Sequence, residues 1–99
     1  MSDGQLEIEN QKSKIEDKKI VVSVKLYASL RRYRPEVAQG RAFACDLPGG
    51  ATIGHLILEA LRLPSEEVAI ILVNGIQRNR EWAPVDGDTV ALWPPIAGG

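Results

Sequence analysis

The sequence predicts an α+β domain in which a mixed four- to five-stranded sheet carries one main helix packed on one face. Three observations lead there. An alternating apolar segment begins at Ile20, an amphipathic segment of helical period follows Thr52, and a second alternating segment runs from Thr89 to Trp93. One helix of about three turns can cover one face of such a sheet, giving two layers around one core.

In the first segment Ile20, Val22, Val24 and Leu26 share one face while Ser23 and Lys25 point away, the period of a strand. The loop after it holds Arg31, Arg32 and Arg34. Pro35 bars helix at Arg34, so only a short helical turn fits. These arginines suit an acidic or phosphate-bearing partner, or simply a solvated loop. Ala42 to Leu47 reads as the second strand, entered by a turn at Gln39-Gly40 and left through Pro48-Gly49-Gly50. Its inward face carries Phe43, Cys45 and Leu47, which makes Cys45 a core residue rather than a nucleophile.

Thr52 is a good helix N-cap. Ile53, Leu56, Ile57, Ala60 and Leu61 then recur on one helical face, and Pro64 is expected to end the helix at Leu63. His55 falls off that stripe and reads as a surface residue. Val68 to Val73 is continuously apolar, which predicts a strand buried on both faces at the centre of the sheet. Asn74-Gly75 signals a tight turn. Short edge strands are expected near Ile76 and near Trp82. Asp86-Gly87-Asp88 turns the chain into the last strand, with Val90 and Leu92 on one face and Ala91 and Trp93 on the other. With the first and last strands adjacent in the middle of the sheet, this order is that of a β-grasp.

Composition bounds the function. The chain has 99 residues, enough for one small domain, and 12 basic against 13 acidic residues give a net charge of -1. No clustered basic excess points to nucleic acid, and no apolar run of membrane-spanning length points to a membrane. The expected location is the cytoplasm. Cys45 is the one cysteine and His55 the one histidine, so no set of metal ligands of zinc-site type is present and no metal or bound cofactor is expected. Residues 1–19 are polar and charged and read as a disordered extension. The folded body is expected over 20–93 and an extended tail over 94–99.

That tail, Pro94-Pro95-Ile96-Ala97-Gly98-Gly99, is where chemistry is expected. The prolines end a strand at Trp93 and hold the chain extended. Gly98 and Gly99 have no Cβ and can thread a narrow channel. The α-carboxylate of Gly99, with an ordinary pKa of about 3.3–3.7, is ionised at neutral pH. Trp93 has two readings: an interface anchor beside the tail, or a ring packed over the edge of its own domain.

Tyr27-Ala28-Ser29-Leu30-Arg31, Thr52-Ile53-Gly54, Val73-Asn74-Gly75 and above all Asp86 through Gly99 resemble the ubiquitin-like sulfur-carrier family, most closely the small subunit of molybdopterin synthase. The resemblance covers about residues 20–99. It implies a ubiquitin-like fold and no catalytic site of the chain's own. An adenylating enzyme of the ubiquitin-activating kind would use ATP to form an acyl-adenylate at Gly99, and a sulfur donor would convert it to a thiocarboxylate. The tail, from Pro94 and Pro95 through Ile96, Ala97 and Gly98, would then enter the synthase large subunit, with Trp93 docking. The sulfur would go to the dithiolene that holds molybdenum or tungsten. The Pro94-Pro95 pair favours this over a thiamine-pathway carrier. A ubiquitin-like protein modifier uses the same carboxyl chemistry and is the alternative from a different class. The charged extension is not a usual feature of the family.

Overall fold

The computed structural model describes residues 18–38 and 40–95. The expectations for the extension before residue 18, for Gln39, and for Ile96, Ala97, Gly98 and Gly99 lie outside the described residues. Five strands form one sheet in the order β2-β1-β5-β3-β4. They are β1 (Lys19–Leu26), β2 (Phe43–Pro48), β3 (Ile70–Val73), β4 (Ile76–Gln77) and β5 (Thr89–Trp93). β1 and β5 are parallel, pairing Ser23 with Thr89 and Leu26 with Leu92; the other neighbours are antiparallel. The arrangement is the expected β-grasp, with β5 at the centre.

The core lies between the sheet and one helix, α1. Ile20, Val22, Val24 and Leu26 of β1 and Val90 and Leu92 of β5 face Ile53, Leu56, Ile57 and Leu61, all buried. Each such side chain contributes roughly 1.5–3 kcal/mol on burial. α1 opens as an α-helical turn, Ile53–His55, and continues as a π-helical one, Leu56–Ala60. Thr52 caps it as expected, accepting from the His55 N–H at 3.2 Å through Oγ1. The helix stops at Ala60, three residues before the end that Pro64 alone predicts. The Leu61 amide reaches back to the Leu56 carbonyl, and Arg62 takes a left-handed φ of 58°. The Leu63 amide then bonds the Ile57 carbonyl, closing the end before proline can act.

Three further expectations are corrected. β3 is shorter than the apolar run, lies between β5 and β4 rather than at the centre, and leaves Ile70 exposed. Its outward side chains are apolar because they flank Trp93 and Ala91 on the open face, not because a second layer covers them. No strand forms at Trp82. The carbonyls of Arg80 and Trp82 accept instead from the Gly54 and Ile53 amides, so this segment caps α1. Cys45 is half-buried, not fully buried, because β2 is an edge strand. The Ile76–Gln77 strand and the short helix after β1, a 3-10 turn over Ala28–Tyr33, form as anticipated.

The end of the sheet opposite the tail is tied by one hub. Asn74 occupies a left-handed φ of 53° in the β3–β4 turn, with Gly75 at 84°, as a two-residue hairpin turn requires. Its Nδ2 donates to Asp88 Oδ1, and its Oδ1 accepts from the Thr89 N–H, both at 2.9 Å. Asp88 Oδ2 accepts from the Val85 N–H, and Asp86 Oδ1 from the Val21 N–H. Side chains from two turns, Asn74 in one and Asp86 and Asp88 in the other, thus hold the start of β5 in register with β3 and β1.

Candidate functional site: the root of the C-terminal tail

β5 delivers the tail from the middle of the sheet, held on both sides to its last residue. Toward β1, the Tyr27 N–H donates to the Leu92 carbonyl at 3.1 Å. Toward β3, the Ala69 N–H donates to the Trp93 carbonyl at 2.8 Å. Pro94, which has no N–H to offer, then ends the ladder. It is half-buried, and Pro95 is exposed.

Trp93 lies on the open face, as the alternation along β5 predicts, and is half-buried. Its ring stacks on that of Tyr27 with centroids 4.3 Å apart and planes 3° from parallel. The ring therefore packs on its own domain through one face. Ile70, 37% exposed, is its partner in register on β3. Tyr27, Trp93 and Ile70 thus form an aromatic and aliphatic platform beside the point where the tail leaves. Sequence reading missed Tyr27. The available signal was the parallel pairing of the first and last strands, which sets the residue after Leu26 beside the residue after Leu92.

The other titratable side chains are dispersed. His55 is exposed on α1. The Cys45 thiol is pushed up by burial, an effect that Arg34 opposes and Asp46 reinforces, so it stays protonated at neutral pH. Among the described residues no three His, Cys, Asp or Glu side chains gather to hold a metal ion, and no helix is long and apolar enough to cross a membrane.

Comparison with known proteins places this architecture. The family model described as Mut7-C ubiquitin matches residues 19–97. The chain belongs to that ubiquitin-like family. Among solved structures, SAMP1 from Haloferax volcanii, a small archaeal modifier protein, is 27% identical with a TM-score of 0.59, covering 80% of this chain and 99% of that one. A putative molybdopterin converting factor subunit 1 from Pyrococcus furiosus is also 27% identical, with a TM-score of 0.61 over 78% of this chain and 99% of that one. The Haloferax volcanii HVO 2177 protein shares the fold at 22% identity and a TM-score of 0.64, covering 82% and 88% of the two chains. No curated protein matches the sequence. These findings agree with the ubiquitin-like sulfur-carrier resemblance seen in the sequence and with the β-grasp fold.

Proposed function

We propose that this protein is a sulfur carrier whose reacting group is the Gly99 carboxylate, working in molybdopterin synthesis. The observation that carries the reading is the position of β5. The central strand, bonded on both sides as far as Trp93, leads straight into Pro94-Pro95 and the Gly98-Gly99 end. A rigid base, a stiff spacer and two glycines suit insertion into another protein's channel.

In this reading the Gly99 carboxylate attacks the α-phosphorus of ATP in an adenylating partner and pyrophosphate leaves. A sulfur nucleophile then adds at the acyl carbon and AMP departs, leaving the thiocarboxylate. A synthase large subunit receives the tail, and the sulfur passes to a pterin precursor. ATP binds the activating partner, and the platform of Tyr27, Trp93 and Ile70 docks against the protein that holds the tail. The likeness to a molybdopterin converting factor subunit supports the pathway. The test is intact-mass analysis after incubation with the adenylating enzyme, ATP and a sulfur source. The expected product has one oxygen replaced by sulfur; an unchanged mass refutes the reading.

The likeness to SAMP1 favours a second use of the same carboxyl group, attachment to lysines of other proteins. Affinity capture from native extract separates the two. Isopeptide-linked targets ending in Gly98-Gly99 support the modifier, while free thiocarboxylate protein alone supports the carrier.

A further inference from the structure

A cation reaches the root of the tail through a series of hydrogen bonds. Beyond β4 the Arg78 N–H donates to the Ile71 carbonyl at 3.0 Å, and Arg80 then continues the contact with the start of β3 through its side chain. Arg80 Nη2 donates to the Val68 carbonyl and, at 3.0 Å, to the Ser65 carbonyl. The Val68 oxygen and the Ala69 N–H belong to one planar peptide group. That N–H donates to the Trp93 carbonyl at 2.8 Å, and the Trp93 oxygen belongs in turn to the peptide group of Pro94. Guanidinium, Val68–Ala69 peptide and Trp93–Pro94 peptide are therefore linked in line, and the line ends where the tail begins.

Linked hydrogen bonds polarise one another. A cation on the Val68 oxygen draws electron density through the peptide group and makes the Ala69 N–H a better donor, more so than a neutral donor would. The bond that holds the Trp93 carbonyl is thus reinforced from behind by Arg80. On the other side of β5 the Tyr27 N–H holds the Leu92 carbonyl, one residue earlier. The orientation of the Trp93–Pro94 peptide is accordingly set from the β3 side.

Arg80 is itself anchored. Its carbonyl accepts from the Gly54 N–H at the start of α1 at 2.9 Å, and the Glu81 N–H closes the turn around it on Asn79 Oδ1 at 3.0 Å. Among the described residues it forms no ion pair, and the hydrogen bonds of its guanidinium go to main-chain carbonyls. A rigid fork of donors used in this way fixes backbone.

We propose that Arg80 is a positioning residue for the tail. Acting through the Val68–Ala69 peptide, it sets the direction in which the Trp93–Pro94 peptide sends the Gly99 carboxylate toward the enzyme that activates it. This inference rests on the reading of Gly99 as the reacting group, and it names the side chain that aims that group.

The test uses the full chain with Arg80→Met, which keeps the main-chain bond to Gly54 and removes the side-chain donors, and with Arg80→Lys, which restores the cation with a single donor head. NMR and amide hydrogen exchange involve neither ATP nor a partner, so their outcome is separate from that of the mass measurement. In Arg80→Met the Ala69 amide proton should move upfield and exchange about tenfold faster, the loss expected for one charge-assisted hydrogen bond. The Tyr27 amide, which holds the same strand from the other side, should change less than about twofold, whereas general loosening of the fold would speed both. Arg80→Lys should show a smaller acceleration at Ala69 alone, and it decides the matter on the same two amides if Arg80→Met does not fold. With the adenylating enzyme, ATP–pyrophosphate exchange should fall about tenfold in kcat with KM for the carrier unchanged, because the platform still docks while the carboxylate is misdirected. An unchanged Ala69 amide overturns the proposal, as do equal accelerations at Ala69 and Tyr27 or a loss confined to KM. Absence of exchange with the native chain refutes the reading of Gly99 instead, and leaves the two amides to judge Arg80.

Discussion

Tyr27 and Trp93 stack face to face at 4.3 Å, joining the residue after the first strand to the last residue of the final one. The contact sits where the ladder ends and the tail begins. Sequence-distant rings held this close make the tail's root part of the folded body.

A double-mutant cycle on this pair should show coupling. Tyr27→Ala and Trp93→Ala should each destabilise by about 1–3 kcal/mol, with an interaction energy of about 0.5–1.5 kcal/mol. Urea unfolding of the four proteins measures it. Additive losses would show that the rings merely cover surface.

The hub at Asn74 separates backbone from side-chain contributions. Asn74→Gly keeps the left-handed turn but loses both hydrogen bonds to the start of β5 and should cost about 1–2 kcal/mol. Asn74→Ala adds the strain of a φ near 53° and should cost roughly 1 kcal/mol more. Equal losses in the two variants would refute the assignment of strain.

Arg62 ends α1 in a conformation that glycine adopts freely. Arg62→Gly should stabilise the protein by about 0.5–1 kcal/mol, read as an upward shift in the urea midpoint with unchanged slope. Destabilisation would mean that the arginine side chain makes contacts of greater worth.

The half-buried Cys45 thiol links stability to pH. Its pKa is raised in the folded state, so folding favours the protonated form. That contribution is complete below the unfolded thiol's value of about 8.5 and is lost as pH rises above it, because only the unfolded chain then releases the proton. Stability should therefore fall more steeply between pH 7 and 10 for the native sequence than for Cys45→Ala. Parallel pH profiles would contradict the shift.

Removing Gly98 and Gly99 should change stability by less than about 0.5 kcal/mol, since the ladder ends at Trp93. It should abolish the gain in mass on incubation with the adenylating enzyme, ATP and sulfur source. Retained loading in the shortened chain would place the reacting group elsewhere.

Much of this architecture is written locally. The alternation in β1 and β5, the Thr52 cap and the Asn74-Gly75 turn each depend on residues close together in sequence, and each forms as read. The failures have two causes: one is a local backbone conformation that residue type does not signal, and the others depend on partners remote in the chain. The end of α1 is set by a left-handed arginine, which composition does not flag. The Val68 to Val73 run is apolar on its outward side because of Trp93, and Trp82 misses strand pairing because its carbonyl serves the helix. The tail root was legible as a motif, whereas Tyr27 emerges only when β1 and β5 are set side by side.

The strand at the middle of the sheet is the last of the five to be synthesised. Until it arrives, β1 and β3 have no common neighbour, and each presents an unpaired edge able to recruit other chains. A chain that stops before Thr89 therefore lacks the strand that joins the two halves of the sheet. The sheet closes only once the sequence of its final strand is in place.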